Sequence, residues 1–167
     1  MQRYLGSCRD IGRDKANAVI QILIFSYMNK EGPIIMIEDD ADDHDIFLEA
    51  FSRLKYPNKV IFFADSQKAL EYLNQKEITP FMIISDINMP VMDGFSLRSK
   101  IRENAELHIK CIPYLFFTTA SAPTVIIEAY SLSVQGFFVK PDSIGELVTT
   151  IRIIMEYWQR CMAPNSF

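Results

Sequence analysis
The chain has 167 residues, 49% of them apolar and 23% charged, with a formal net charge of −4. This length and apolar share support one domain with a full core and exclude a disordered or low-complexity chain. The acidic balance excludes a global basic footprint for nucleic acid, and no apolar run approaches the ~20 residues of a membrane helix.

Residues 1–32 differ in texture from the rest and are read as an N-terminal extension. Arg3, Arg9, Arg13 and Lys15 precede the apolar run from Ala18 to Phe25, the outline of a signal peptide. Gln21 inside the run and the poor cleavage site Ser26-Tyr27-Met28 count against that reading. Met28 is the better candidate for a natural start, with Asn29-Lys30-Glu31-Gly32 as a polar lead into the first strand. An accessory helix is the other reading of the segment.

From Pro33 the chain alternates between two patterns. Short apolar runs occur at Pro33–Ile37, Lys59–Phe63, Phe81–Ser85, Ile112–Phe117 and Gly136–Val139. Between and after them, apolar residues recur at helical spacing. Asp45–Leu54 carries Phe47, Ala50, Phe51 and Leu54, and a helix capped by Ser66 carries Ala69, Leu70 and Leu73. Gly94–Arg102 presents Phe95, Leu97 and Ile101, and Pro123–Leu132 presents Ile126, Ile127 and Tyr130. The last helix opens on a capping box, Ser143-Ile144-Gly145-Glu146, and keeps one apolar face through Trp158. Five such alternations predict an α/β fold, a parallel sheet with helices on both faces. Runs apolar at every residue suit strands buried on both sides.

Ligands of such sheets bind beyond the carboxyl ends of the strands. The residues there are Glu38-Asp39-Asp40 after the first run, Asp86 after the third, Thr118 and Thr119 after the fourth, and Lys140-Pro141 after the fifth. Crowded carboxylates repel one another, and a hard divalent cation relieves that repulsion. A carboxylate beside such a cation can act as a nucleophile toward a phosphoryl group, and a lysine can hold a phosphoryl oxygen. Asp42, Asp43 and Asp45 read as solvated acids at a helix start, and His44 and His108 as surface residues. Cys8, Cys111 and Cys161 form neither a disulfide framework nor a zinc spacing, which fits a reducing cytoplasm.

The four strand-end motifs, in this order, resemble the receiver domain of two-component response regulators. Ile37-Glu38-Asp39-Asp40 resembles its acidic pair, and Ser85 to Gly94 its phosphoacceptor loop. Thr118 resembles its switch hydroxyl, Phe137 its switch aromatic, and Lys140-Pro141 its lysine and following proline, usually joined by a cis bond. Asp86 lies 46 residues after Asp40, Thr118 lies 32 after Asp86, and Lys140 lies 22 after Thr118. The resemblance implies a doubly wound, flavodoxin-like, CheY-like sheet of order 2-1-3-4-5 over residues 33–161, followed by a short tail at 162–167. It implies that Asp86 accepts a phosphoryl group in a magnesium-dependent reaction, from a sensor histidine kinase or a histidine phosphotransfer protein. The implied Mg2+ ligands are Asp40, Asp86 and the backbone carbonyl of Asn88, with Asp39 acting mainly through water. Lys140 and Thr118 would bind the phosphoryl group, and Phe137 would change rotamer. The implied readout surface, and site of a homodimer, is the Pro123–Leu132 helix, the Gly136–Val139 strand and the last helix. No DNA-binding or membrane partner is implied, and the chain would be a stand-alone phosphoacceptor rather than an enzyme. The tail helix and paired threonines resemble a subgroup that partners phytochrome-type kinases.

Departures from the family pattern are Thr119 where a smaller residue is commoner, and Ala120, which offers no polar group to an attacking water. Three other functions compete. A magnesium-dependent phosphatase or phosphotransferase would want an Asp two residues after the nucleophile, where Asn88 stands. Flavin binding would want a Gly/Ser/Thr-rich loop where the acidic cluster stands. A non-phosphorylated scaffold remains open at the level of sequence.

Overall fold
The computed structural model describes residues 29–161. The readings made of residues 1–28, Met28 as a start and Cys8 included, and of the tail 162–167 lie outside the described residues. Five parallel strands form one sheet: β1 Ile34–Ile37, β2 Val60–Phe63, β3 Met82–Ser85, β4 Tyr114–Thr118 and β5 Gly136–Val139, in the order β2-β1-β3-β4-β5. The helices between them are α1 Ala41–Leu54, α2 Ser66–Leu73, α3 Gly94–Glu103, a short α4 Ala105–Ile109, α5 Pro123–Ser131 and α6 Ile144–Arg160.

Alternation along each buried strand feeds two cores. Ile34 and Met36 of β1, with Ile84, Leu115 and Phe117, meet Phe47, Ala50 and Phe51 of α1 and Leu147, Ile151 and Ile154 of α6. Ile35 and Ile37, with Ile83, Tyr114 and Phe116, meet Ala69 and Leu73 of α2, Leu97 and Ile101 of α3, and Ala129 of α5. Every residue of β1, β3 and β4 is buried, which explains their continuous apolar sequence. Each fully buried aliphatic side chain stabilises the fold by about 1.5–3 kcal/mol. Trp158 sits half-buried at the far end of α6, edge-on to Tyr157 with ring centroids 5.2 Å apart.

Three local details differ from the sequence expectation. Asp65, not Ser66, caps α2, accepting from the amides of Gln67 and Lys68. The Ser66 hydroxyl instead donates to Met92 O at 2.8 Å, tying α2 to the loop after β3. The short α4, capped by Asn104, was not expected, because one turn and a half carries no readable periodicity. Ser143 does cap α6, accepting from the Glu146 amide.

The carboxyl end of α5 is held from across the α3 side. Arg98 donates to Leu132 O and Ser133 O, and Arg102 donates to Ser131 O. Burial lowers the Arg98 pKa, and its guanidinium lies over the Tyr114 ring. Among the described residues no helix is long and apolar enough to cross a membrane.

Candidate functional site
The strand ends on one edge of the sheet converge as the topology requires. β1 delivers Glu38, β3 delivers Asp86, β4 ends on Thr118, and Lys140 follows β5. Glu38, Asp86 and Thr118 are all buried, at 2%, 7% and 0% exposure. Buried charges demand partners, and a single ammonium supplies them. Lys140 Nζ lies 2.6 Å from Glu38 Oε2, 2.6 Å from Asp43 Oδ2 and 3.5 Å from Asp86 Oδ2. Burial by itself would lower the Lys140 pKa, but the hydrogen bonds to Asp43 and Glu38 outweigh it and hold the ammonium well above its ordinary value. Glu38 is pushed upward by burial, against the opposing pull of Lys140.

Asp86 is fixed by its own backbone. Its Oδ1 accepts from the Ile87 amide at 2.6 Å, which leaves Oδ2 on the Lys140 side. The loop beyond it closes tightly, with the Gly94 amide donating to Ile87 O at 2.9 Å. A Cβ on Gly94 would stand 2.3 Å from Asp86 O and 2.8 Å from the Phe116 ring. Asp93 caps α3 from the same loop. Val91, at the loop's tip, is fully exposed and adopts φ +68°, a region that β-branched residues rarely enter. Asn88 lies two residues past Asp86 with an exposed side chain.

Glu38, Asp39 and Asp86 place carboxylate oxygens within 4.8 Å of one another. Three hard oxygen donors suit a magnesium ion, which takes few carboxylates and keeps several waters, so the residues present fit that ion. Asp40, expected among the ligands, is not in this group. It is the N-cap of α1, extended at ψ 121°, and its side chain accepts from the Asp42 amide at 2.8 Å. The free amides of the helix start draw the carboxylate away, so the acidic pair stands one residue earlier, at Glu38 and Asp39.

Thr118 is fully buried, and its hydroxyl oxygen accepts from the Ala120 amide at 3.3 Å. The Lys140 amide donates to Thr118 O at 2.9 Å, which locks β5's end to β4's. Phe137 is half-buried on β5 against the core beneath α2, α3 and α5. Thr119 is exposed. The Lys140–Pro141 bond is trans rather than cis; the two isomers of such a bond differ by only about 0.5–1 kcal/mol.

Two residues that the sequence assigned to the surface belong to the site. Asp43 pairs with Lys140, and His44 Nε2 donates to Glu38 O at 2.5 Å while its ring packs on Phe62. A signal for Asp43 existed: side chains in a first helical turn lean toward the helix N-terminus, here toward the strand ends.

Comparison with known proteins identifies the family. The profile described as "Response regulator receiver domain" matches residues 34–152. The chain therefore belongs to the response regulator receiver domain family. A probable methanogenesis regulatory protein, FilR2, of Methanothrix harundinacea (strain 6Ac) is 30% identical over 129 residues, covering 75% of this chain and 82% of FilR2. Response regulator Rcp1 of Synechocystis sp. is 25% identical over 130 residues, covering 75% of this chain and 87% of Rcp1. The structure of the phosphorylated cyanobacterial phytochrome response regulator RcpA superposes with a TM-score of 0.71 at 25% identity, covering 80% of this chain and 99% of that one. The sheet order and the receiver family are thus those the motifs implied.

Proposed function
We propose that residues 33–161 form a phosphorylation switch in which Asp86 is the phosphoacceptor. The reading rests on one observation above all: a single ammonium, Lys140, lies beside Glu38, Asp43 and Asp86 at the strand ends. The donor is a sensor histidine kinase or a histidine phosphotransfer protein. Asp86 Oδ2 attacks the phosphorus, the bond from phosphorus to the donor nitrogen breaks, and the imidazole leaves. Oδ1, already engaged by the Ile87 amide, keeps the carboxylate in one orientation throughout. Lys140 moves onto a phosphoryl oxygen, and the Thr118 hydroxyl donates its proton to another. Phe137 then repacks behind Thr118, and the change reaches the face formed by α5, β5 and α6, which binds the downstream protein or a second copy. Glu38, Asp39, Asp86 and the carbonyl of Asn88 would hold magnesium, which when bound supplies positive charge against the phosphoryl oxygens. The protein assists only its own phosphorylation and dephosphorylation, works in the cytoplasm, and acts on no outside substrate. A phosphoryl group brings roughly −1.5 to −2 charges, enough to bias a two-state loop.

The test is intact mass after incubation with acetyl phosphate, with and without magnesium, beside Asp86→Asn. One phosphoryl adduct that requires magnesium and is lost in the variant is expected. Full labelling of Asp86→Asn would sink the assignment, and no adduct under any condition would leave an unmodified scaffold.

A further inference from the structure
Lys140 does not rest on Asp86. Its two short contacts, at 2.6 Å, are with Glu38 and Asp43, whereas Asp86 Oδ2 stands at 3.5 Å, the outer limit of a hydrogen bond. Glu38 also belongs to the group of carboxylates that can share a cation; Asp43 does not. Asp43 comes from the first turn of α1, a helix pinned to the core by Phe47, Ala50 and Phe51, so its carboxylate is held at a set place. Its side chain is 30% exposed, and Lys140's is 11%. Contacts of this kind, charge-assisted and partly shielded, are stronger than neutral hydrogen bonds.

We propose that Asp43 is a positioning residue that holds Lys140 off Asp86 and so limits how long the phosphorylated state lasts. The inference rests on Asp86 as the phosphoacceptor. A phosphoryl group on Asp86 competes with Asp43 for the same ammonium, and the Asp43 charge repels it as well. Both effects favour the unphosphorylated protein. Asp43→Asn removes the competing charge while leaving the Glu38–Lys140 pair.

The experiment follows the decay of phosphorylated protein by intact mass after acetyl phosphate and magnesium are removed. Wild type, Asp43→Asn, Asp43→Glu, Lys140→Gln and the double variant Asp43→Asn/Lys140→Gln are compared, with urea midpoints measured alongside. Asp43→Asn is expected to lengthen the phosphoryl half-life about five- to tenfold, the scale of one ordinary net hydrogen bond. Asp43→Glu keeps the charge and stays near wild type. In the Lys140→Gln background, adding Asp43→Asn changes the half-life less than twofold, because the competition acts through the lysine. A merely structural role would move the urea midpoint and leave the half-life alone. An unchanged or shortened half-life in a labelled, folded Asp43→Asn overturns this inference and leaves the phosphoacceptor reading standing. Absence of labelling in wild type overturns both.

Discussion

Adjacent acids of one sequence run have different tasks because the backbone changes character between them. Glu38 follows β1 directly and is carried inward, where burial raises its pKa and Lys140 meets it. Asp39 stands at the rim of the carboxylate group, and Asp40 has already turned to the helix. The two functions separate experimentally. Asp40→Ala should destabilise the fold by about 0.5–2 kcal/mol, the loss of an N-cap, while the magnesium concentration giving half-maximal labelling stays where it was. Asp39→Asn should leave stability nearly unchanged and raise that concentration at least about tenfold, since even outer partners of a metal site are worth that much. Urea titration and a magnesium series of acetyl phosphate labelling check the pair of variants together. The opposite assignment, with Asp40 as ligand, would reverse both results.

Elements were legible where one physical rule governs a long enough stretch. β1 reads as a strand because neither of its faces meets water, and α6 reads as a helix because Leu147, Ile151 and Ile154 must all reach one core. Sequence pattern was blind to α4, whose five residues hold too few turns. It was blind to Asp43 for a different reason: the partner that gives this residue meaning is 97 positions away, on the far side of four strands and four helices. Asp40 stands in the helix cap rather than in the carboxylate group, because the point where a strand hands over to a helix is set by capping rather than by periodicity. The loop between β3 and α3 makes the dependence of site on scaffold measurable. Gly94 is there because any Cβ would collide with the carbonyl of Asp86, a backbone atom that cannot step aside. Gly94→Ala should cost about 1–3 kcal/mol, the range for forced overpacking, and should depress labelling of Asp86 because the strain falls on that residue's own peptide. A thermal melt of Gly94→Ala as stable as wild type would show that the loop has slack that its geometry does not suggest.

The whole molecule is a sheet clamped between two unequal layers. α1 and α6 cover one side, and α2, α3 and α5 cover the other. The candidate site lies at the strand ends, where Asp86 follows β3 and Lys140 follows β5. On the second side, α3 grips the final carbonyls of α5 through Arg98 and Arg102, which makes that end of α5 the fixed one. The opposite, Pro123 end of α5 has no side-chain cap. Arg98→Met should loosen the fixed end, raising amide hydrogen exchange in Ser131–Ser133 while leaving exchange in β1 and β3 as before.

The sequence contains one tryptophan, and it lies on α6, packed at the margin of the α1–α6 core and away from the strand ends where phosphate chemistry would occur. Its emission is thus an optical channel weighted toward one layer: it brightens, dims or shifts with the seating of α6 and with the cavity that the indole shares with Arg98 and Arg102 of α3. Circular dichroism hears all six helices of the described residues at once. If the two layers melt as a single cooperative unit, the fluorescence and dichroism curves in urea will superimpose. If they part, the interval between their midpoints will measure how far one wall of the sandwich can stand without the other.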